Sequence, residues 1–332
     1  MGGIFTISLD FELHWGGFEK WPLENYRSYF SNTRRVIPKM LELFAANNVH
    51  VTWATVGLLF HDSREELLQN YPKQPPTYKI TKLSALNYIE SEGIGANEEA
   101  DPYHFAPSII RLITSTPGQE LASHTFGHYY CNEEGQSPEQ FRADLQAAQR
   151  AASKYGRELR SLVFPRNQFN EDYLRVCFDE GIRVVRANPR DWFWNINSTQ
   201  HESLWKRFNR GLDAYLPIGK ENIFKISSIK NIPGLPFSVP SSRLLRPYNP
   251  KEFFLNDLKI MRIRNEMAKA AKEGAVYHLW WHPHNFGWHP EKSMEALQEI
   301  ISHFAFCSDA YGMTSLSMGD IADKLSVAPN RN

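Results

Sequence analysis

Hydrophobic positions along the chain fall into short β-branched runs that alternate with segments of helical periodicity. Residues 4–9 form an apolar run that ends on acidic residues, the pattern of a buried strand delivering a site at its C-terminal end. Ile37, Leu41 and Phe44 share one helical face, with Pro38 expected in the first turn, where a missing N–H is tolerated. A second strand is predicted over 49–55, a helix over 108–114 and a strand over 120–123. Ser137-Pro138-Glu139-Gln140 is a capping box with proline at the first helical position, and the helix it opens carries Phe141, Leu145 and Ala148 and stops at Gly156. Strands at 162–164 and 182–186 flank a helix over 170–180. Residues 223–229 read as another strand, 249–272 as a long helix capped by Asn249 and stopped by Gly274, 275–281 as a strand and 290–306 as a helix. A short strand and helix follow Met313. Such alternation builds parallel strands with helical crossovers, so the expectation is an α/β barrel with inserted loops. It is read as one domain over 1–325 with a tail at 326–332.

Two stretches interrupt the alternation. Residues 61–106 turn polar and irregular, with Pro72, Pro75, Pro76 and the acidic patch 98–101, and read as an insertion and candidate lid. Residues 230–250 form a Pro- and Ser-rich loop whose Arg243, Arg246 and nearby Lys251 are either phosphate contacts or a solvated basic surface. Composition narrows the function. The 37 Lys plus Arg are balanced by 37 Asp plus Glu, which argues against an electrostatic nucleic-acid partner. Cys131, Cys177 and Cys307 are widely spaced with no C-x-x-C pair, so no disulfide framework is expected. The first residues lack a basic, apolar leader pattern and nothing approaches a transmembrane span, so the expected location is cytoplasmic. Aromatic residues make up 13% of the chain, including 9 Trp, more flat apolar surface than a core needs and the kind that sugar clefts use.

Chemistry concentrates at three places. Asp10-Phe11-Glu12 puts two carboxylates on one side of a strand end, because strand side chains alternate. Ser123-His124-Thr125-Phe126-Gly127-His128 places two imidazoles four residues apart after a strand, and on a helical turn both would reach one cation. Their bland alternatives are an exposed acidic turn and two loop-capping histidines. A His, His, carboxylate set with an open position is the arrangement of catalytic zinc, and the second carboxylate can then take a proton. In Tyr277-His278-Leu279-Trp280-Trp281-His282-Pro283-His284, alternation puts His278, Trp280 and His282 on one face. His282 then stands at the strand end, and His278 reads as a hydrogen-bonded core residue.

In this order of motifs the chain resembles the polysaccharide deacetylase family (carbohydrate esterase family 4, NodB homology domain), over most of its length. The resemblance implies a distorted (β/α)7 barrel and a hydrolase that removes acetyl groups from an N-acetylated sugar with a divalent metal, zinc by default and cobalt or nickel as substitutes. It implies Asp10 as general base and Glu12, His124 and His128 as metal ligands, although an Asp-x-Glu stands where many members have adjacent aspartates. It further implies Arg166, in Phe164-Pro165-Arg166-Asn167, as the arginine that tunes the base, and Asp191 with Trp192 as the fourth motif. His282 is the expected general acid, with His284 the runner-up. Trp192, Trp281, Trp288, Tyr129 and His284 are candidates to line the sugar cleft. The cytoplasmic expectation points to a nucleotide- or lipid-linked sugar precursor of a surface polysaccharide or lipopolysaccharide. Competing readings are a metal-independent amidase on small cyclic amides, a glycosidase using Asp10 or Glu12 with Asp191, and a carbohydrate-binding pseudoenzyme.

Overall fold

The computed structural model describes residues 2–189, 191, 194, 204–213, 215 and 222–327. Among the described residues nine strands form one sheet: β1 (Ile4–Phe11), β2 (Val51–Thr55), β3 (Gln119–Ser123), β4 (Ser161–Leu162), β5 (Val184–Ala187), β6 (Phe237–Pro240), β7 (Arg243–Leu244), β8 (Val276–Trp281) and β9 (Thr314–Ser315). Their order is β6-β5-β4-β3-β2-β1-β8-β7, with β9 added to the start of β1, and every pairing is parallel. Parallel neighbours need crossovers, and the helices Leu23–Ala46, Pro107–Ser115, Pro138–Ser153, Glu171–Asp179, Phe253–Glu273 and Pro290–Tyr311 supply them.

Only Ser241 and Ser242 separate β6 from β7. Ser241 donates its N–H to Ala187 O at the end of β5 (2.9 Å), and Ser242 donates to His278 O in β8 (2.8 Å). One run of chain therefore passes from one end of the sheet to the other. The strands occupy seven positions of a curled barrel, which is the expected distorted (β/α)7 architecture.

Alternation sorts the two faces. Phe5, Ile7, Leu9 and Phe11 of β1 join Tyr277, Leu279 and Trp281 of β8 in the apolar layer beneath the helices. The opposite parity faces the barrel interior, where Ile4, Ala54, Ala122, Val163, Val184 and Val276 pack against Met318 and Ile321 of the helix Met318–Val327. Met318 and Ile321 are fully buried, worth about 1.5–3 kcal/mol each, so the last helix plugs one end of the barrel. Polar groups of the same parity, Ser8, Asp10 and Arg186, gather toward the strands' C-terminal ends.

Three expectations change. Pro38 lies well inside Leu23–Ala46 rather than in a first turn. The cost of a proline in mid-helix, about 3 kcal/mol, is carried by the buried face of Phe30, Ile37, Met40, Leu41 and Phe44 on either side of it. Residues 223–229 form no strand, because Phe224 makes only an isolated antiparallel bridge to Val276 before a short 3-10 turn at Ile226–Ser228. The Pro-rich loop instead holds β6 and β7. The insertion 61–106 carries the helices Arg64–Asn70 and Ala85–Ser91. It is tied to the barrel rim where Trp15 Nε1 donates to His104 O (3.0 Å). No helix among the described residues is long and apolar enough to cross a membrane.

Candidate active site

β1 ends by placing Asp10 in the barrel mouth and, one residue beyond the strand, Glu12. Both are buried, 3% exposed each, so their charges need partners. Asp10 has a permanent one. Arg186, at the end of β5, crosses the interior and grips both carboxylate oxygens, with NH1 to Oδ1 at 2.6 Å and NH2 to Oδ2 at 2.8 Å. Such a bidentate fork is the strong form of the pair. Burial pushes the Asp10 carboxyl up, but the charges of Arg186, His282 and His124 outweigh it and hold the carboxyl below its ordinary value.

Arg186 is itself fixed from three sides. Its NH1 donates to Ser8 Oγ (3.2 Å), its NH2 donates to Asn167 Oδ1 (3.1 Å), and its guanidinium lies over the Trp280 ring at 4.2 Å. His278 Nδ1 must donate to Pro240 O (3.0 Å), which leaves Nε2 to accept from the Ser8 hydroxyl (2.9 Å). This histidine is neutral, since burial and the nearby guanidinium push its pKa down to about 3. It is the hydrogen-bonded core residue that alternation indicated.

Glu12 meets imidazoles instead of an arginine. Its Oε2 lies 3.2 Å from His124 Nε2 and 3.1 Å from His128 Nε2, and the donor atoms of these three buried residues all fall within 4.8 Å of one another. The outer nitrogens are committed elsewhere: His124 Nδ1 donates to Val163 O (2.8 Å) and His128 Nδ1 pairs with Tyr130 Oη (2.9 Å). Both Nε2 atoms face the carboxylate, with the outer ring nitrogens anchored, which is the orientation metal-ligating histidines take. Burial raises the Glu12 carboxyl, yet the charge of His282 and the hydrogen bonds of His124 and His128 hold it well below its ordinary value. The group fits a divalent cation by its donor chemistry and its spacing.

The loop carrying both histidines is not the expected helical turn. Thr125 (φ 63°) and His128 (φ 56°) are left-handed, so the chain folds back sharply between the ligands. Asp144, on the helix Pro138–Ser153, holds that fold by accepting from Phe126 N (2.6 Å) and Gly127 N (2.9 Å). Burial pushes its carboxyl up to about 7 in spite of these two bonds. Gly16 shapes the site from below, because a Cβ there would stand 2.0 Å from Glu12 Oε1.

His282 leads out of β8 at the mouth, 28% exposed in its side chain, with Nε2 at 3.6 Å from both Asp10 Oδ2 and Glu12 Oε1. His284 is buried, and burial together with His282 brings its pKa to about 3, the opposing Glu12 charge notwithstanding. It is neutral and enclosed, whereas His282 is open to the mouth.

Several expected residues sit elsewhere. Arg166 does not pair with Asp10: it lies over the Tyr130 ring (4.0 Å) and bonds Glu19, with Glu133 at 3.8 Å. The arginine on Asp10 is Arg186, and a charged residue closing the apolar strand 182–186 was its signal in the sequence. Asp191 is buried and accepts from Asn222 Nδ2 (2.7 Å). Trp192 lies outside the described residues. Trp281 lines no cleft, because strand parity turns it outward, fully buried and stacked on Phe286. Tyr129 is also core, its hydroxyl donating to Ser137 O (2.9 Å). Trp288 is 54% exposed beside Tyr29 and Tyr26 and is available at the surface. Arg243 is neither a phosphate contact nor solvated. It is buried and paired with Glu266 and Asp213, because its parity in β7 points it into the helix layer. A cavity of about 1330 Å³ lies between residues 18–27 and the insertion, with Glu19, Trp21, Tyr88 and Asp101 among its lining residues; Asp10, Glu12 and the site histidines do not line it, and Trp21 packs edge-on against His284 (5.5 Å).

Residues 28–185 match the family model described as polysaccharide deacetylase. No curated protein matches the chain. A solved Mycobacterium smegmatis protein described as a polysaccharide deacetylase is similar in fold, with TM-score 0.60, 15% identity and coverage of 99% of this chain and 93% of that one. An allantoinase (PuuE) gives TM-score 0.57 at 14% identity, covering 99% and 92%. A Pseudomonas aeruginosa PAO1 protein described as a polysaccharide deacetylase gives 0.53 at 14% identity, covering 96% and 89%. The chain is therefore similar to the polysaccharide deacetylases over residues 28–185 and shares the fold of these neighbours.

Proposed function

We propose that the protein is a metal-dependent deacetylase that hydrolyses the acetamide of an N-acetylated sugar. The observation that carries this reading is the convergence of Asp10, Glu12, His124, His128 and His282 at the C-terminal ends of the barrel strands. Glu12, His124 and His128 would hold the cation, zinc in the first instance, with cobalt or nickel suited to the same ligands. Bound there it supplies Lewis acidity toward the acetyl carbonyl and makes water a better nucleophile. Asp10, held ionised by Arg186, takes the proton from the attacking water. His282, partly exposed and 3.6 Å from Asp10, delivers a proton to the departing amine. Acetate and a free amino sugar result. Trp288 and the cavity walled by Trp21 and Tyr88 offer surfaces for the rest of the glycan.

The test is acetate release from a panel of N-acetylated sugars, free, nucleotide-linked and lipid-linked, by protein reconstituted with zinc or cobalt. Activity abolished by chelation, restored by metal and lost in Asp10→Asn is the expected result. Release of ammonia or opening of a cyclic amide by chelated protein would favour a metal-independent amidase. Glycan binding without turnover would favour a pseudoenzyme.

A further inference from the structure

The two imidazoles of the proposed metal site sit on a loop whose shape is not self-supporting. After His124 the chain turns left-handed at Thr125 (φ 63°) and again at His128 itself (φ 56°). That conformation is uncommon for any residue with a Cβ and is an outlier for a β-branched one such as threonine. It persists only where the surroundings over-determine it. Side chains of the loop supply part of the hold: Ser123 Oγ accepts from Thr125 N (3.0 Å), and Thr125 Oγ1 accepts from Tyr129 N (2.7 Å). The two peptide N–H groups in the middle, those of Phe126 and Gly127, turn instead to a different element. Both donate to the Asp144 carboxylate on the helix Pro138–Ser153, one to each oxygen.

Asp144 is an unfavourable group to keep for stability alone. It is 2% exposed, it joins no ion pair among the described residues, and burial raises its carboxyl. A buried carboxylate without a cation weakens a fold. The rest of the helix's buried face is apolar, Phe141, Leu145, Ala147, Ala148, Ala151 and Ala152, so an acid in that row stands out. What the carboxylate provides is geometry. Its two oxygens clamp consecutive peptide groups of the segment that joins the two histidines, and so fix where both rings start.

We infer that Asp144 is a positioning residue for the metal site: by holding the Phe126 and Gly127 N–H groups, it keeps His124 and His128 in the ligating arrangement before a cation arrives. The ordering of the loop is then completed on folding and need not be repeated on binding, which raises affinity. The inference rests on the metal reading of Glu12, His124 and His128.

The experiment compares the metal-stripped full chain with its Asp144→Asn variant. Zinc affinity is read by competition with a chromophoric chelator, and backbone amide exchange is followed over residues 124–130 with and without zinc. Asparagine keeps the shape but offers one acceptor oxygen in place of two, so one N–H loses its bond. Zinc affinity is expected to fall about 10–100-fold, the usual effect of losing a group that orients metal ligands. In the metal-free wild type the Phe126 and Gly127 amides should already be protected, and zinc should add little. In the variant they should exchange faster until zinc is added, while the helix Pro138–Ser153 and β3 keep their protection. That pattern separates a loosened loop from general unfolding. Should the variant not fold, exchange in the wild type decides alone. Affinity within about twofold of wild type, or wild-type amides that become protected only when zinc binds, would overturn the positioning role and leave the metal site standing. A wild type that binds no zinc would overturn the metal reading and this inference with it.

Discussion

Replacing Arg186 by methionine tests the assignment of Asp10 as the base. The side chain is 2% exposed and supplies both hydrogen bonds that hold the Asp10 carboxylate oxygens. Methionine keeps much of the apolar volume over Trp280 and removes the charge. Losing one member of a buried ion pair costs about 3–5 kcal/mol, because the remaining charge has no compensation. Burial then dominates at Asp10, and its carboxyl moves above its ordinary value instead of below it. In wild type the lowered carboxyl contributes stability that is present above the unfolded carboxylate value and lost as pH falls through the folded one. In Arg186→Met the sign reverses, and stability falls as pH rises from the unfolded carboxylate value to the raised folded one. Activity follows the same proton: kcat/KM at pH 7 is expected to drop about 10²–10⁴-fold, the worth of a general base, with recovery at alkaline pH. The pH profile of kcat/KM should show its acid limb displaced upward, and Asp10→Asn added to Arg186→Met should regain several kcal/mol in denaturant unfolding. An acid limb that stays in place, with kcat/KM within about twofold of wild type, would refute the view that Arg186 sets the base.

Four shorter predictions accompany it. Gly16→Ala drives a methyl against Glu12 Oε1, so zinc affinity measured by competition with a chromophoric chelator should fall about tenfold or more. Asp144→Asn removes a carboxyl that titrates near 7. Wild type should lose about 4 kcal/mol relative to the variant between pH 4 and pH 8, read as the difference between their urea midpoints across pH. The sign is fixed because the folded state holds that proton longer than the unfolded chain, and a constant difference across pH would contradict it. His282→Gln should lower kcat by about 10²–10⁴-fold while one tightly bound metal remains by elemental analysis. Chelation should lower the melting temperature, and zinc should restore it, because Glu12 is then left buried without a cation.

Legibility in the sequence followed local rules and stopped where contacts are distant. Strand parity put Asp10 and Glu12 on one side and chose His282 as the residue leaving the mouth, and the capping box at Ser137 appears with both of its hydrogen bonds. Parity also told against Trp281, whose outward face was already implied by inward-facing Trp280 and His282. The partner of Asp10 was harder, since Arg186 is 176 residues away and only barrel closure brings β5 opposite β1. Asp144 was hidden for a related reason: an acidic residue on an amphipathic helix looks solvated until its two backbone partners are placed. The loop at 125–128 resembled a helical turn by spacing alone, whereas the fold at the left-handed Thr125 and His128 is held by backbone N–H groups that donate to Ser123 Oγ and Asp144 Oδ1.

The two carboxylates of the first motif differ less in type than in what neutralises them. Asp10 has its countercharge built into the fold, a guanidinium that cannot lose its proton and that is pinned by Ser8, Asn167 and Trp280. Glu12 is as deeply buried, yet its ion-pair partners among the described residues are His124, His128, His282 and His284. Burial drives His128 and His284 toward the neutral form, so these partners can orient a charge without balancing it. A buried carboxylate in that state is costly unless a cation joins it. The proposed division of labour uses this difference: the carboxylate with an internal countercharge would exchange a proton, and the one without would hold the metal. Exchanging Asp and Glu at these positions would therefore move side-chain length but not role, since role is set by Arg186 on one side and four imidazoles on the other.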